Sequence, residues 1–152
     1  MTTWKRGRGK LGPLAPLLGR WVTAGTSAMG DYRVTRTIAP ALEGAYVEML
    51  VRWEFGDRTY EERAFYSPAS GGGLQFASFT SDGKSSRGVQ VEAPDVHPAA
   101  LAFEAEMPAG TARMIYWPDD VAGFRWAVES KTKKGWNRFT EHHYTPLVAP
   151  DA

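Results

Sequence analysis

From Gly19 onward the chain runs in short stretches of alternating apolar and polar residues, closed by turn signals such as Gly56-Asp57, Asp82-Gly83 and Lys133-Lys134-Gly135. Alternation with a period of two marks strands with one buried face, and Gly-containing pairs favour the tight turns that join antiparallel neighbours. Strands are expected near 20–27, 31–39, 45–55, 59–67, 74–80, 86–92, 100–107, 111–117, 123–131 and 136–145. Residues 93–99 read as a loop, because Pro94 and Pro98 lack the backbone donors a strand needs. Pro13 to Leu18 reads as one helical turn ending at Gly19, with Leu14, Leu17 and Leu18 available to plug one end. An antiparallel sheet of about ten strands in one small domain tends to close on itself, since closure removes the exposed edges. The expected fold is therefore all-β, a single antiparallel up-and-down barrel with a short N-terminal helical turn. A barrel of this size has room for one small ligand.

The totals narrow the function classes. At 152 residues the chain fits one domain; residues 1–12 read as a flexible tail, 13–147 as the barrel and 148–152 as a second tail. Lys and Arg number 18 against 17 acidic residues, a balance that gives no support to a nucleic-acid or membrane partner. The one basic run, Lys5, Arg6, Arg8 and Lys10, sits in the Gly-spaced N-terminal stretch and reads as solvated. Without cysteine there are no disulfides, thiolate metal sites or cysteine nucleophiles. With no signal-peptide core and no apolar span, the expected location is the cytoplasm.

Hairpin register sorts the faces. A two-residue turn at Gly56-Asp57 sets Trp53 opposite Tyr60 and Arg52 opposite Glu61. The ion pair belongs outside, so Val47, Met49, Val51, Trp53, Tyr60, Glu62, Ala64 and Tyr66 face in. Around Ala109-Gly110, Glu106 is expected to meet Arg113 outside, leaving Phe103, Ala105, Met107, Met114 and Tyr116 inside. A two-residue turn at Asp82-Gly83 puts Leu74, Phe76, Ser78, Arg87, Val89 and Val91 on one face. A three-residue loop, Lys133 to Gly135, aligns Trp126 with His142 and Phe124 with Tyr144. A slip of one residue in any register flips every side chain of that strand.

A sparse polar set then faces the lumen: Arg36, Glu62, Ser78, Arg87, Arg138, Thr140 and His142, with phenols at Tyr32, Tyr60, Tyr66, Tyr116 and Tyr144. Few polar groups among aromatics is the composition of a small-molecule pocket; paired with one another, the same groups are structural. The expected ligand-binding residues are Arg36, Trp53, Tyr60, Glu62, Tyr66, Phe76, Phe103, Met114, Tyr116, Trp126, Arg138 and His142. No catalytic set is recognised. Gly71-Gly72-Gly73 lacks the Lys and Ser/Thr of a phosphate loop, Asp119-Asp120 reads as a turn, and Ser and His occur without a nucleophile elbow. His142 and His143 are neighbours on a strand and face opposite sides, so they do not chelate one metal together.

The segments Leu14-Ala15-Pro16-Leu17-Leu18-Gly19-Arg20-Trp21, Gly44-Ala45-Tyr46-Val47, Phe65-Tyr66-Ser67, Phe79-Thr80-Ser81-Asp82-Gly83-Lys84 and Glu141-His142-His143-Tyr144 carry a likeness over nearly the whole domain. In their order the chain resembles the lipocalin-like (calycin) superfamily, and within it small bacterial domains of unknown function. The resemblance implies that Trp21 closes the barrel floor and that an Arg of a late strand, here Arg138, stacks on it. The chain is also similar in length and strand count to nitrobindin-type haem-binding domains. That likeness implies a haem ligand at His142 or His143, although Gly25 to Tyr32 departs from the branch's first-strand pattern. Three readings follow: a binder of a small hydrophobic or amphipathic molecule, a haem protein, and a barrel enzyme of isomerase or cyclase type using Glu62. Leu50, Phe65, Phe79 and Phe139, outside the lumen, are candidates for a homodimer patch.

Overall fold

A computed structural model describes residues 4–147; the expected C-terminal tail, 148–152, lies outside the described residues. A 3-10 turn, Gly12–Leu17, precedes ten strands: β1 (Gly19–Ser27), β2 (Gly30–Ala41), β3 (Tyr46–Phe55), β4 (Arg58–Pro68), β5 (Leu74–Thr80), β6 (Ser85–Val91), β7 (Leu101–Met107), β8 (Gly110–Pro118), β9 (Phe124–Thr132) and β10 (Gly135–Pro146). Each strand pairs antiparallel with its chain neighbours, and β10 returns to β1, giving a closed up-and-down barrel. None of the described residues forms a helix long and apolar enough to cross a membrane.

One end is plugged. The 3-10 turn inserts the buried side chains of Leu14 and Leu17, and Trp21 locks it by donating its indole N–H to the Leu17 carbonyl at 2.8 Å. Residues 4–11 run beside this plug, with Trp4 and Leu11 packed against the core and the Gly7 N–H donating to the Gly12 carbonyl. The other end carries the hairpin turns β1–β2, β3–β4, β5–β6, β7–β8 and β9–β10, and forms the mouth.

Two joins in the wall are short. Between β1 and β10 only Trp21–Pro146 and Val22–Thr145 pair. Between β6 and β7 only Val89–Glu104, Gln90–Phe103 and Val91–Ala102 pair. Both sets lie toward the plugged end, so the ladder pairs of both joins are confined to that end.

Register decides which residues reach the lumen. The β3–β4 turn is the expected two-residue one: Phe55 pairs with Arg58, Trp53 with Tyr60, and Arg52 meets Glu61 outside at 3.2 Å. The β7–β8 turn falls one residue earlier than expected, at Pro108-Ala109, which shifts the pairing by two. Glu106 therefore pairs with Thr111, and Arg113 with Glu104; an even shift leaves the inward set unchanged. The β5–β6 turn is longer than expected. Ser81 to Gly83 form a three-residue loop in which the Thr80 N–H bonds the Lys84 carbonyl and the Asp82 carboxylate caps Thr80 and Lys84. That one-residue slip turns Arg87, Val89 and Val91 outward and brings Ser86 and Gly88 inside, correcting the expectation for all three. Gly88 is needed there: the Phe76 ring lies against its backbone, where a β-carbon would overlap it.

In the last hairpin two departures cancel. The loop is only Lys133-Lys134, which sets Arg138 opposite Glu129; a bulge at Phe139 then restores the expected pairing of His142 with Trp126 and Tyr144 with Phe124. Arg138 lies on the near side of the bulge and faces outward. It stacks 5.1 Å from the Trp117 ring and pairs with Glu129 and Glu141, so the expected floor partnership with Trp21 is corrected. Phe124, edge-on at 4.9 Å, takes that place against Trp21.

The outer wall of β7–β9 carries a second apolar cluster. The β6–β7 connection folds across it and buries Ala93 with Ala102, Ile115, Trp117 and Ala127. At its edge Arg113, 4 % exposed, is held by Asp95 and Glu129 and stacks on Trp136.

Candidate functional site

The lumen has two storeys. Next to the plug, Phe124, Tyr116, Tyr144, Tyr66, Met49, Val47 and Ile38 fill the space completely, all of them nearly inaccessible. Above them, toward the mouth, lies a cavity of about 430 Å³. Its walls include Glu62 of β4, Phe76 of β5, Ser86 of β6, Phe103 and Ala105 of β7, Met114 of β8, and Trp126 and Val128 of β9. Strand alternation places every one of these: each sits two residues, or a multiple of two, from another inward residue of its strand.

Between the storeys stands Arg36, from the middle of β2 and 2 % exposed. Its Nη1 donates to the Met49 sulfur at 3.1 Å and to the Tyr116 hydroxyl at 3.3 Å. Its guanidinium carbon lies 4.4 Å from the Trp126 ring centre and 4.8 Å from that of Tyr144. Burial opposes its charge, but the Tyr144 and Tyr116 phenols and the Glu62 carboxylate outweigh this and hold its pKa above the ordinary arginine range. Arg36 is a cation at every accessible pH. Its Nε–H, and the Nε1–H of Trp126, are buried without a hydrogen-bond partner among the described residues.

The phenols complete this layer. Tyr66 and Tyr116 share a hydrogen bond at 3.4 Å, and Tyr116 also approaches the sulfurs of Met49 and Met114. Burial raises the pKa of Tyr66, Tyr116 and Tyr144, so all three remain neutral donors in ordinary conditions.

His142 faces the lumen and His143 does not. The His143 ring lies outside, its Nε2 2.8 Å from the Ala122 carbonyl and 3.7 Å from Asp119. His142 is buried against Tyr32 (5.4 Å, stacked), Trp53 and Trp126 (both 5.2 Å) and Tyr144 (5.9 Å). Burial, and then the charge of Arg36, lower its pKa to about 4, so the ring is neutral. A neutral imidazole has the right form for a metal ligand. However, a porphyrin seated on this histidine needs the space these four rings fill, so haem does not fit the site as folded. No cluster of three His, Asp or Glu able to hold a metal ion occurs among the described residues.

Eleven of the twelve expected binding residues lie on the inner face, as their strand positions show: Arg36, Trp53, Tyr60, Glu62, Tyr66, Phe76, Phe103, Met114, Tyr116, Trp126 and His142. They do not form one site. Glu62, Phe76, Phe103, Met114 and Trp126 border the cavity, while Tyr66 and Tyr116 belong to the filled storey. Trp53 packs with Phe55, Tyr32 and His142 beside the β1–β10 join, where a shallow cleft of about 480 Å³ opens on Thr23, Ala24, Tyr32 and His142. Ser86 and Val128 border the cavity and were not expected to. A facing pair of small hydroxyls, Ser78 and Ser86 at 2.9 Å, and a glycine opposite Phe76 are the sequence signals that fix the β5–β6 register.

No family model and no curated protein matches this chain. The site has to be read from its own geometry.

Proposed function

We propose that the protein binds one small apolar or amphipathic molecule in the upper storey of its barrel, as a binder or carrier. One observation supports this above all: the lumen is packed solid around Arg36, yet keeps a cavity of about 430 Å³ toward the mouth. Interiors are ordinarily close-packed, and a hollow that is open toward the mouth and lined in its depth by Phe76, Phe103, Met114, Trp126 and Val128 is of the size that small-molecule sites have, about 300–1,000 Å³. Glu62 and Ser86 in its depth, and Thr111, Arg113, Ser130 and Lys131 nearer the rim, supply polar groups to orient a bound molecule.

The test is to fill the space. Ala105 sits on the inner face of β7 at the cavity wall, and Ala105→Trp inserts an indole into the hollow. Wild-type protein is expected to take up anilinonaphthalene sulfonate with a blue-shifted emission, and to show a bound mass by native mass spectrometry when purified without dye. The variant, with an unchanged circular dichroism spectrum, is expected to lose both. Equal dye uptake by wild type and Ala105→Trp places the dye on the outer surface and removes the proposal.

A further inference from the structure

We infer that the bound molecule is a single-chain amphiphile whose apolar chain lies in the hollow and whose uncharged polar head leaves sideways, through a notch between β6 and β7, into a groove on the outer wall. This rests on the binding reading above and adds the shape of the molecule and the place of its head. The ladder of this join ends at Val89–Glu104. Had it run on toward the mouth, Gly88 would stand opposite Ala105 and Arg87 opposite Glu106. Neither pair forms. Over that stretch each strand keeps only its other neighbour, β6 pairing with β5 and β7 with β8, and Glu106 accepts from the Thr111 hydroxyl of β8.

The groove outside, of about 1000 Å³, reaches through this notch. Most of its lining is outward, including Phe65, Gln75, Arg87 and Val89. Yet Phe76, Ser86 and Ala105 line it too, and these face the lumen and border the hollow. Alternation puts inward and outward side chains on opposite faces of an intact sheet, so one groove touches both sets only where the wall is interrupted. Hollow and groove thus meet at shared residues. On β6 and β7 the small Ser86, Gly88 and Ala105 line the passage, which suits an extended chain better than a ring system.

The two sides differ in polarity. The depth of the hollow is Phe103, Met114, Trp126 and Val128, whereas Gln75, Ser85 and Arg87 of the groove are exposed. An apolar chain is driven into the first, and a polar head in the second keeps its water and its hydrogen bonds. Arg87 and Glu104 both line the groove, so it offers a donor and an acceptor and no single sign of charge. At roughly 30 Å³ per water-sized group, the hollow of about 430 Å³ takes a chain of about a dozen carbons.

The chain has no cysteine, so Val89→Cys in the groove and Lys131→Cys at the rim each create one labelling site. Both positions are exposed and outside the packed core. Each full-length variant is labelled with bimane and titrated with the TEMPO ester of dodecanoic acid, whose nitroxide marks the polar end and quenches bimane on contact. Quenching at Val89→Cys is expected to saturate and to be several-fold stronger than at Lys131→Cys. Adding Ala105→Trp is expected to abolish it, because the chain then has no hollow to enter. Saturable quenching that is equal at the two sites, or stronger at Lys131→Cys, sends the head out through the mouth; it overturns the notch and leaves the binding reading standing. Quenching that survives Ala105→Trp lays the chain on the outer wall and overturns the inference as well. No saturable quenching at either site overturns both readings.

Discussion

The plugged half of the barrel and its open half are made from the same strands, and they differ in what the inward positions carry. Near the plug, β2, β3, β8, β9 and β10 contribute Ile38, Val47, Tyr116, Phe124 and Tyr144, large side chains that meet at the axis and leave no space. Near the mouth, β6, β7 and β9 contribute Ser86, Ala105 and Val128, which stop short of it. The fold is thus anchored at one end and vacant at the other. Stability and recognition are assigned to different halves of each strand, with Arg36 at the boundary.

That division makes the two halves respond differently to truncation. Phe124→Ala, in the filled half, is expected to cost about 4 kcal/mol, the range for removing a packed aromatic. Met114→Ala, at the hollow, is expected to cost about 1 kcal/mol, because little closes over the space it leaves. Chemical denaturation of the two variants measures the gap, and equal losses break the distinction.

A smaller effect concerns the boundary layer and acid. His142 titrates near 4 in the folded protein against an ordinary value of 6.5. Between those values the unfolded chain takes up the proton and the folded one does not. Stability is therefore unaffected above about pH 6.5 and falls as pH drops toward 4, by on the order of 2 kcal/mol for this residue. Urea midpoints at pH 7 and 4.5 measure the loss. His142→Gln is expected to flatten the dependence in this window, and an unchanged slope shows that the ring is not held neutral.

The smallest effect sharpens inside against outside. Arg138→Ala removes a half-buried outer arginine with Glu129 and Glu141 as partners, and about 1 kcal/mol of stability is expected to go with it. Dye binding is expected to stay within twofold of wild type. A large loss of binding returns Arg138 to the site.

The fold was legible in the sequence wherever a turn had one obvious form. Gly56-Asp57 fixed β3 and β4, and with them Trp53, Glu62 and Tyr66. Asp82-Gly83 misled because Asp82 does not sit in a two-residue turn. Its carboxylate instead caps a three-residue loop, and side-chain capping of that kind competes with the tighter turn. Arg138 was misplaced because a bulge has no reliable mark in sequence. Its alternation reads as inward only if the hairpin is regular, and Phe139 interrupts it. Arg36 was legible as an inward residue. Its lack of an ion pair was not, since that depends on Glu62 standing one strand beyond its neighbour Val51 and on Asp95, Glu129 and Glu141 being spent on the outer surface.

The two short joins have a mechanical consequence. They divide the wall into a leaf of β1–β6 and a leaf of β7–β10, and in both places the remaining backbone pairs sit at the base. Widening the rim at either join breaks no backbone pair, so the ladder that holds the base together is independent of how wide the mouth stands.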